Sequence, residues 1–243
     1  MKKESLITRP AHRSVGDNIT QAIIEQVRSG SLKHGDRLPS ERDLAVQFGV
    51  SRPTVRHALG ALTQMGVLET RQGAGTVVAA SGENVLKTPL EMLMLLDRPT
   101  LEELYEVREL VEVHLAGRAA ERRTEADLQT MREALAAMQQ TVADPLRQTD
   151  PNIAFHEAIA HAAHLPLLSR FLVSLHDLMH AAVEATLPGV RDPVASYNIH
   201  ARIFEAIERG KTTDARRAMT VHMAMATDEL ARITQTPELG NVK

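Results

Sequence analysis

The chain has 243 residues, of which 43% are hydrophobic, 24% charged and 2% aromatic, and its formal net charge is −3. This length allows one large domain or two smaller ones with a real core, and the lack of cysteine excludes disulfides, thiolate catalysis and cysteine-based zinc sites. No apolar run approaches the roughly 18 residues of a membrane span, and no secretory signal follows Met1, so we expect a cytoplasmic protein.

Charge is unevenly distributed along the chain. Residues 1–82 carry 11 Lys and Arg against 7 Asp and Glu, a net charge of +4, whereas the remainder carries 17 against 24, a net charge of −7. This asymmetry predicts a basic module that binds a polyanion and an acidic module with a different task.

The first part of the chain predicts three helices followed by a β-hairpin. Apolar residues recur at helical spacing in three segments that are bounded by serine caps or glycines: residues 15–29, 40–49 and 51–66. The segment VLETRQGAGTVVAA then has apolar residues on both sides of a turn that contains Gly73 and Gly75. Helix, helix, turn, helix and hairpin is the layout of a winged helix-turn-helix, which we place at residues 1–78.

The remainder of the chain predicts an all-α bundle. Residues 79–87 (AASGENVLK) are small, polar and weakly patterned, so we expect a linker there and a second domain at 88–236. Seven helices are predicted near 88–97, 100–122, 124–142, 150–163, 165–186, 193–209 and 211–234. The fold class is therefore mainly α, with a small hairpin wing in the N-terminal domain and a seven-helix bundle in the C-terminal domain.

Polar and basic side chains cluster where a helix-turn-helix would meet DNA. The second helix of that motif inserts its first turn into the major groove, and here that turn contains Ser51, Arg52 and Thr54, with Arg56 one turn later. Arginine can bind a guanine edge through two hydrogen bonds, and the hydroxyls can reach phosphates or bases. The same surface is predicted to include Arg42, Gln72 and Gly73. From charge alone, a merely solvated basic face is equally compatible.

An ordered motif strengthens the nucleic-acid interpretation. The segment GSLKHGDRLPSERDLAVQFGVSRPTVRHALGALTQMGVLETRQGAGTVV resembles the N-terminal domain of the GntR family of bacterial transcription regulators. The resemblance implies that Arg42, Arg52, Arg56 and the wing at Gly73 contact operator DNA, and that a homodimer binds a near-palindromic site. His57 departs from the family pattern, which usually has glutamate there.

The second half contains a histidine-rich stretch, NIAFHEAIAHAAH. Asn152 and His156 are four residues apart and face the same side of a helix, so both could ligate a metal, although this spacing is also common by chance. Two further pairs compete with them. We expect the first pair to be partly solvated and the second to line a helical face or a pocket rim: His161 with His164, and His176 with His180.

The same stretch, with two later histidines, resembles the FCD ligand-binding domain of FadR-like GntR regulators. The resemblance implies a divalent metal, zinc or else nickel or manganese, held by Asn152, His156, His200 and His222. Asn152 stands where the family more often has aspartate, which predicts weaker metal binding and a site more positive by one unit. The segment LEELYEVRELVEVHLAGRAA resembles the first long helix of that domain, and its Arg108 would bind an effector carboxylate; the alternative is a surface ion pair of Arg108 with Glu112.

These patterns predict a DNA-binding transcription regulator, not an enzyme, whose operator affinity is controlled by a small carboxylate metabolite bound in a metal-containing pocket. Three alternatives stay open. The regulator could respond to its ligand without metal, the bundle could be purely structural, or the chain could be a metalloenzyme fused to a DNA-binding module. The last needs a general base beside the metal, and Glu157 points about 100° around the helix from its neighbour His156.

Overall fold

The structure is a computed structural model that describes residues 15–79, 85–142, 149–184 and 192–234. Within them the chain forms ten helices and one two-stranded sheet: α1 Val15–Arg28, α2 Glu41–Phe48, α3 Arg52–Gln64, β1 Leu68–Arg71, β2 Gly75–Val78, α4 Lys87–Asp97, α5 Leu101–Arg122, α6 Glu125–Gln140, α7 Thr149–Ala162, α8 Pro166–Glu184, α9 Pro193–Glu208 and α10 Thr212–Thr234. The mainly α fold class is thus confirmed, including the hairpin that follows the helix-turn-helix segment.

The chain divides into two compact units, Met1–Thr88 and Pro89–Lys243. Part of the predicted linker at 79–87, residues 80–84, lies outside the described residues. The predicted domain limits, 1–78 and 88–236, therefore stay predictions.

Caps define the helices of the first unit. Ser40 precedes α2 with extended backbone angles, and its hydroxyl accepts a hydrogen bond from the backbone N–H of Asp43 at 3.2 Å. Gly49 ends this helix in the left-handed conformation, with φ 64°, which costs glycine nothing. Ser51 caps α3 in the same way by accepting from the N–H of Thr54, and Pro53 sits in the first turn, where a missing N–H is tolerated.

The hairpin packs on the three helices. Its antiparallel register runs from Leu68 opposite Val78 to Arg71 opposite Gly75, and Gly73 adopts φ 79° in the turn between the strands. The apolar residues of the helices and the hairpin share one core, whose fully buried members include Ile19, Val55, Leu62, Leu68 and Val78. This core holds the helix-turn-helix and the hairpin as one body.

The second unit contains α5 to α10 and all but the first two residues of α4, so the seven predicted helices are present in the described part of the chain. Two begin with reciprocal capping boxes, Thr100 with Glu103 on α5 and Thr124 with Asp127 on α6. Observed ends lie within about two residues of the predicted ones. The predicted breaks at Asp144–Pro145 and Pro188–Gly189 lie outside the described residues.

The core of the second unit is built from alanine, methionine and branched residues, with Phe155 fully buried among them. Helix α5 lies along α10, while α7 packs against both α5 and α6. Small residues on α5, including Ala116, Ala119 and Ala120, let these helices approach closely. Over the residues that the structure describes, no helix has the length and apolar character needed to cross a membrane.

Candidate metal centre and nucleic-acid interface

Three histidines from three helices meet in the second unit. His156 on α7, His200 on α9 and His222 on α10 each offer one ring nitrogen, and these nitrogens all lie within 4.8 Å of one another. All three side chains are buried. Among the described residues searched for such clusters, this three-histidine group could hold a metal ion.

Hydrogen bonds orient two of these rings. Nδ1–H of His200 donates to the backbone carbonyl of Ser196 at 2.6 Å, which leaves the lone pair of a neutral imidazole on Nε2. Nδ1 of His156 is in direct contact with a carboxylate oxygen of Glu112, which imposes the same tautomer on a neutral His156. The two Nε2 atoms then face each other at 3.2 Å.

This arrangement fits a metal. Two nitrogen ligands on one tetrahedral zinc, each about 2.0–2.1 Å from the ion, are about 3.3 Å apart. Two facing lone pairs repel each other unless a cation or a proton lies between them. Burial lowers the pKa of His200 to about 3, and the neighbouring His156 adds to that effect. Burial also holds the pKa of His222 well below its usual value, so both rings are neutral donors near pH 7.

A buried carboxylate connects the three-histidine group to an arginine. Glu112 is 1% exposed and contacts Arg108, His156 and His176, with Nε of Arg108 at 2.9 Å and Nε2 of His176 at 3.3 Å. We call these four residues the Glu112 network. Arg108 also places its guanidinium over the ring of Tyr105, 5.1 Å from the centroid.

The Glu112 carboxylate is ionised in these surroundings. Burial by itself would raise the pKa of Glu112, but the neighbouring His156, the charge of Arg108 and the hydrogen bonds from His156 and His176 together hold it well below the usual value. An ionised carboxylate only accepts hydrogen bonds, so Nε2 of His176 carries a hydrogen. Nδ1 of His176 is buried and has no hydrogen-bond partner among the described residues.

From the sequence, Glu112 was expected only as the partner of Arg108 in a surface pair. The pair forms, but it is buried, with the Arg108 side chain 12% exposed. A signal was present, because Leu104, Arg108, Glu112 and Leu115 recur every three or four residues along one stripe of α5. Charged residues on an apolar stripe mark a buried polar site.

The other predicted histidines lie elsewhere or differ in burial. His161 and His164 are exposed at the end of α7, as predicted, and Nε2 of His164 is 3.0 Å from a carboxylate oxygen of Asp127. His176 is 4% exposed and its Nε2 contacts Glu112, so it lies inside the bundle; its predicted place on a helical face or a pocket rim stays a prediction. The side chain of His180 lies outside the described residues.

Asn152 is half-buried on α7, one turn before His156. At this spacing it faces the same side of the helix, which is where an oxygen ligand would be needed. Its role as a ligand stays a prediction, as does the binding of an effector by Arg108.

Two adjacent arginines at the end of α5 secure the helices that carry His156 and His200. Nη1 of Arg122 donates to the carbonyls of Ala163 and His164, just beyond the end of α7, at 3.3 Å each. Nη2 of Arg123 donates to the carbonyl of Glu208, the last residue of α9, at 3.0 Å. Cations at helix C-termini satisfy the free carbonyls and complement the helix dipole.

In the first unit, the residues predicted to meet DNA are accessible. Exposed positions include Arg42, Ser51, Arg52, Arg56, Gln72 and Gly73, while Thr54 is half-buried beneath its contact with the Ser51 hydroxyl. His57, the departure from the family pattern, is also exposed. The first turn of α3 therefore presents Arg52, with Arg56 one turn later on the same helix.

Glu41, which belongs to the matching motif but for which no role was predicted, joins two of these arginines. Arg56 donates to Glu41 through Nε at 3.1 Å and Nη2 at 2.9 Å, and Nη2 of Arg52 lies 3.8 Å from the same carboxylate. The hydrogen bond from Arg56 is the main cause that lowers the pKa of Glu41. We call Glu41, Arg52 and Arg56 the Glu41 network.

Comparisons with known families match both units. Residues 16–78 match the family described as bacterial regulatory proteins, gntR family, and residues 103–225 match the FCD domain. The second match alone spans about half of the chain.

Curated relatives and a solved structure agree. The HTH-type transcriptional regulator LutR of Bacillus subtilis (strain 168) is 36% identical over 210 residues, covering 84% of this chain and 96% of that protein. The galactonate operon transcriptional repressor of Escherichia coli (strain K12) is 29% identical, covering 90% of this chain and 97% of that protein.

The solved structure of a Streptococcus agalactiae GntR protein has a TM-score of 0.72 at 24% identity, covers 88% of this chain and 99% of that chain, and supports the fold alone. The relatives are named as regulators, which confirms the predicted regulator over the enzyme alternative. The chain is a DNA-binding transcription regulator of the GntR family with an FCD domain.

Proposed function

We propose that this regulator controls its operator affinity through a divalent metal and a small carboxylate metabolite, both bound in the second unit. The metal ligands are His156, His200 and His222, with the amide oxygen of Asn152 as a further ligand. Zinc suits three neutral imidazoles best, and nickel or manganese are the alternatives. The observation that carries the proposal is the pair of Nε2 atoms of His156 and His200, 3.2 Å apart.

When bound, the metal supplies positive charge and open coordination positions for a carboxylate. Arg108, which is nearly buried and joined to the metal ligands through Glu112, supplies a second cationic group for the same anion. Asn152 adds no negative charge, so the site repels an anion less than one with aspartate would.

Hydroxy acids are the effector class that we propose to test first. The galactonate repressor, one of the relatives, is named for a sugar acid with a hydroxyl next to its carboxylate. In this chain, Nδ1 of His176 is a buried acceptor without a partner among the described residues, and its ring centroid is 5.9 Å from that of His156. A hydroxyl donor is the complement of such an acceptor.

A metal-free regulator is the second candidate, and the contact of the Glu112 carboxylate with Nδ1 of His156 favours it. A protonated His156 would donate Nδ1–H to Glu112 and Nε2–H to His200, which accounts for the same 3.2 Å distance without an ion. Its positive charge, together with Arg108, would then attract the effector carboxylate.

Metal analysis and thermal unfolding separate the two candidates. The protein is stripped with a chelator, and its melting temperature is measured with and without Zn²⁺, Ni²⁺ or Mn²⁺. We expect one ion per chain and a raised melting temperature, since ligand at a hundredfold excess over Kd stabilises by about 2.7 kcal/mol. His222→Ala should lose this response, and His161→Ala, an exposed histidine on α7, should keep it. A protein that binds none of these ions supports the metal-free candidate.

The effector is tested with matched acids on the metal-loaded and the chelated protein. L-lactate and propionate differ by one hydroxyl, and D-galactonate extends the series. We expect L-lactate or D-galactonate to raise the melting temperature more than propionate does. If no small carboxylate changes the melting temperature in either form, the effector part of the proposal fails.

We also propose that the operator is bound by the exposed surface of the first unit, in a homodimer. The contacting residues are Arg42, Ser51, Arg52, Thr54, Arg56, Gln72 and Gly73. Selection from a random duplex pool should yield an inverted repeat, because a two-fold symmetric dimer presents two copies of α3. Arg52→Ala should abolish the selection, and Arg28→Ala, an exposed arginine on α1, should not.

Two further measurements test the homodimer and the domain limits. Analytical ultracentrifugation gives the mass of the protein in solution and so tests the proposed dimer. Limited proteolysis should cleave first in the proposed linker at 79–87, between domains 1–78 and 88–236.

A further inference from the structure

The Glu112 network has a consequence for the metal site, and the inference rests on the function proposed above. We infer that Glu112 is a positioning residue that fixes the ring of His156 and strengthens it as a metal ligand. It does not belong to the three-histidine group. Its carboxylate contacts Nδ1 of His156, on the opposite side of the ring from Nε2.

A carboxylate at this place acts through the imidazole. It accepts the Nδ1 hydrogen, selects the tautomer with a free Nε2 lone pair and makes that nitrogen a stronger donor. A neutral amide could hold the ring in place but would polarise it less. The charge of Glu112, more than its shape, is therefore expected to matter for the metal.

Two groups besides His156 hold Glu112 itself in place. Arg108, four residues earlier on α5, donates through Nε at 2.9 Å, and His176 on α8 lies 3.3 Å away through Nε2. Since the carboxylate is 1% exposed, water does not weaken these contacts as it would at a surface. The purely structural alternative is a buried ion pair that joins α5, α7 and α8, and the test must distinguish it.

The test compares Glu112→Gln with Glu106→Gln, the same change at an exposed position of α5, on the full chain. Zn²⁺ affinity is measured by competition with a chromophoric chelator, and Co²⁺ spectra report the ligand field. We expect Glu112→Gln to weaken Zn²⁺ binding by about 10- to 100-fold and to change the Co²⁺ spectrum. Glu106→Gln should match the unchanged protein.

Each possible outcome supports or overturns a stated proposal. If the unchanged protein binds no metal, the metal proposal fails and the role of Glu112 fails with it. If the unchanged protein binds Zn²⁺ and Glu112→Gln binds it equally well, only the inference about Glu112 is overturned. A variant that lowers the melting temperature of the metal-free protein while keeping its Zn²⁺ affinity shows a structural role and likewise overturns the inference.

A second inference comes independently from the Glu41 network in the first unit. We infer that Glu41 is a specificity-determining residue that orients Arg52 and Arg56 for the bases or phosphates they meet. A carboxylate on a DNA-binding surface is repelled by phosphate, so it lowers non-specific affinity. A role of Glu41 in sequence selectivity would offset this loss of non-specific affinity.

The geometry indicates the role. Glu41 is the first residue of α2, whereas both arginines belong to α3, so the contact crosses between the two helices of the motif. Two hydrogen bonds from Arg56, through Nε and Nη2, fix the plane of its guanidinium. An acid in the first turn also favours the dipole of α2, but that effect requires no contact with Arg56.

The experiment selects binding sites from a random-sequence duplex pool with the full chain and two variants. Glu41→Gln is compared with Glu25→Gln, which removes an exposed glutamate that pairs with Arg28 on α1. We expect Glu41→Gln to bind the unselected pool at least as tightly as the unchanged protein. Its preference for the selected motif over the pool should fall about tenfold, within the range that one well-placed arginine contributes.

Glu25→Gln should select the same motif as the unchanged protein with the same preference. If Glu41→Gln also does so, the inference is overturned. Weaker binding of Glu41→Gln to the unselected pool would overturn it as well, because removing a negative charge should not reduce the attraction to phosphate. An unchanged protein that selects no motif would overturn the operator interface itself.

Discussion

In each unit a single glutamate contacts more than one basic side chain, and the two glutamates differ chiefly in exposure. The Glu41 side chain is 32% exposed and faces two arginines that are themselves mostly exposed. Glu112 is 1% exposed and faces Arg108 and two buried histidines. Water screens the first network and hardly reaches the second. The same residue type can therefore adjust a nucleic-acid surface in one unit and hold a buried site together in the other.

The largest expected difference is in stability. Glu112→Ala leaves Arg108 buried without its counter-charge, so we expect the free energy of unfolding to fall by about 3–5 kcal/mol. Glu41→Ala should leave the unfolding midpoint almost unchanged, since its partners can turn to water. Urea denaturation of the chelated protein, followed by circular dichroism, measures both. Equal effects of the two substitutions would contradict the comparison.

Acid should destabilise the second unit of the metal-free protein. The pKa of His200 falls from 6.5 to about 3 on folding. Between these two pH values, His200 is protonated in the unfolded chain and neutral in the folded chain. The free energy of unfolding is therefore highest above pH 6.5. As the pH falls from 6.5 towards 3, protonation of His200 in the unfolded chain lowers it by about 1.4 kcal/mol per pH unit. His200→Gln should reduce this slope, and His164→Gln, at an exposed position, should not; denaturation at pH 7.5, 6 and 5 checks it.

Two helical glycines, one in each unit, differ in the space that a side chain would find there. A Cβ at Gly117 of α5 would clash with Nε of Arg216 and lie 2.9 Å from its Cγ, so Gly117→Ala should destabilise by about 1–3 kcal/mol. A Cβ at Gly60 of α3 meets nothing within 4 Å, and Gly60→Ala should stabilise by about 1 kcal/mol. Thermal unfolding measures both changes: the melting temperature should fall for Gly117→Ala and rise for Gly60→Ala. A neutral Gly117→Ala would mean that Arg216 moves aside freely.

The smallest expected effect is the salt dependence of the two ion pairs. Double-mutant cycles on melting temperature give the coupling of Glu41 with Arg56 and of Glu112 with Arg108. At 1 M NaCl the screening length falls to about 3 Å. The first coupling should then shrink towards zero and the second should persist. A salt-sensitive coupling between Glu112 and Arg108 would show that water reaches that site.

Local signals in the sequence determined most of the secondary structure. Ser40 and Ser51 cap helices as the pattern predicted, and Thr100 and Thr124 cap the helices that were predicted to begin at them, because a cap is made by residues only three positions apart. The turn at Gly73 was equally local. The i, i+4 spacing of Asn152 and His156 likewise puts both on one face of α7, since residues four apart in a helix lie one turn above each other.

Only the tertiary structure decided the surroundings of those residues. His156, His200 and His222 lie on three different helices, so no periodicity within one helix could bring their rings together. The family resemblance pointed to these three residues, and the packing of α7, α9 and α10 brings their rings together. The burial of Glu112 and its contact with His156 depend on α5, α7 and α8 at once. Helices form from neighbours in sequence, whereas the electrostatics of a site depends on which distant side chains exclude water from it.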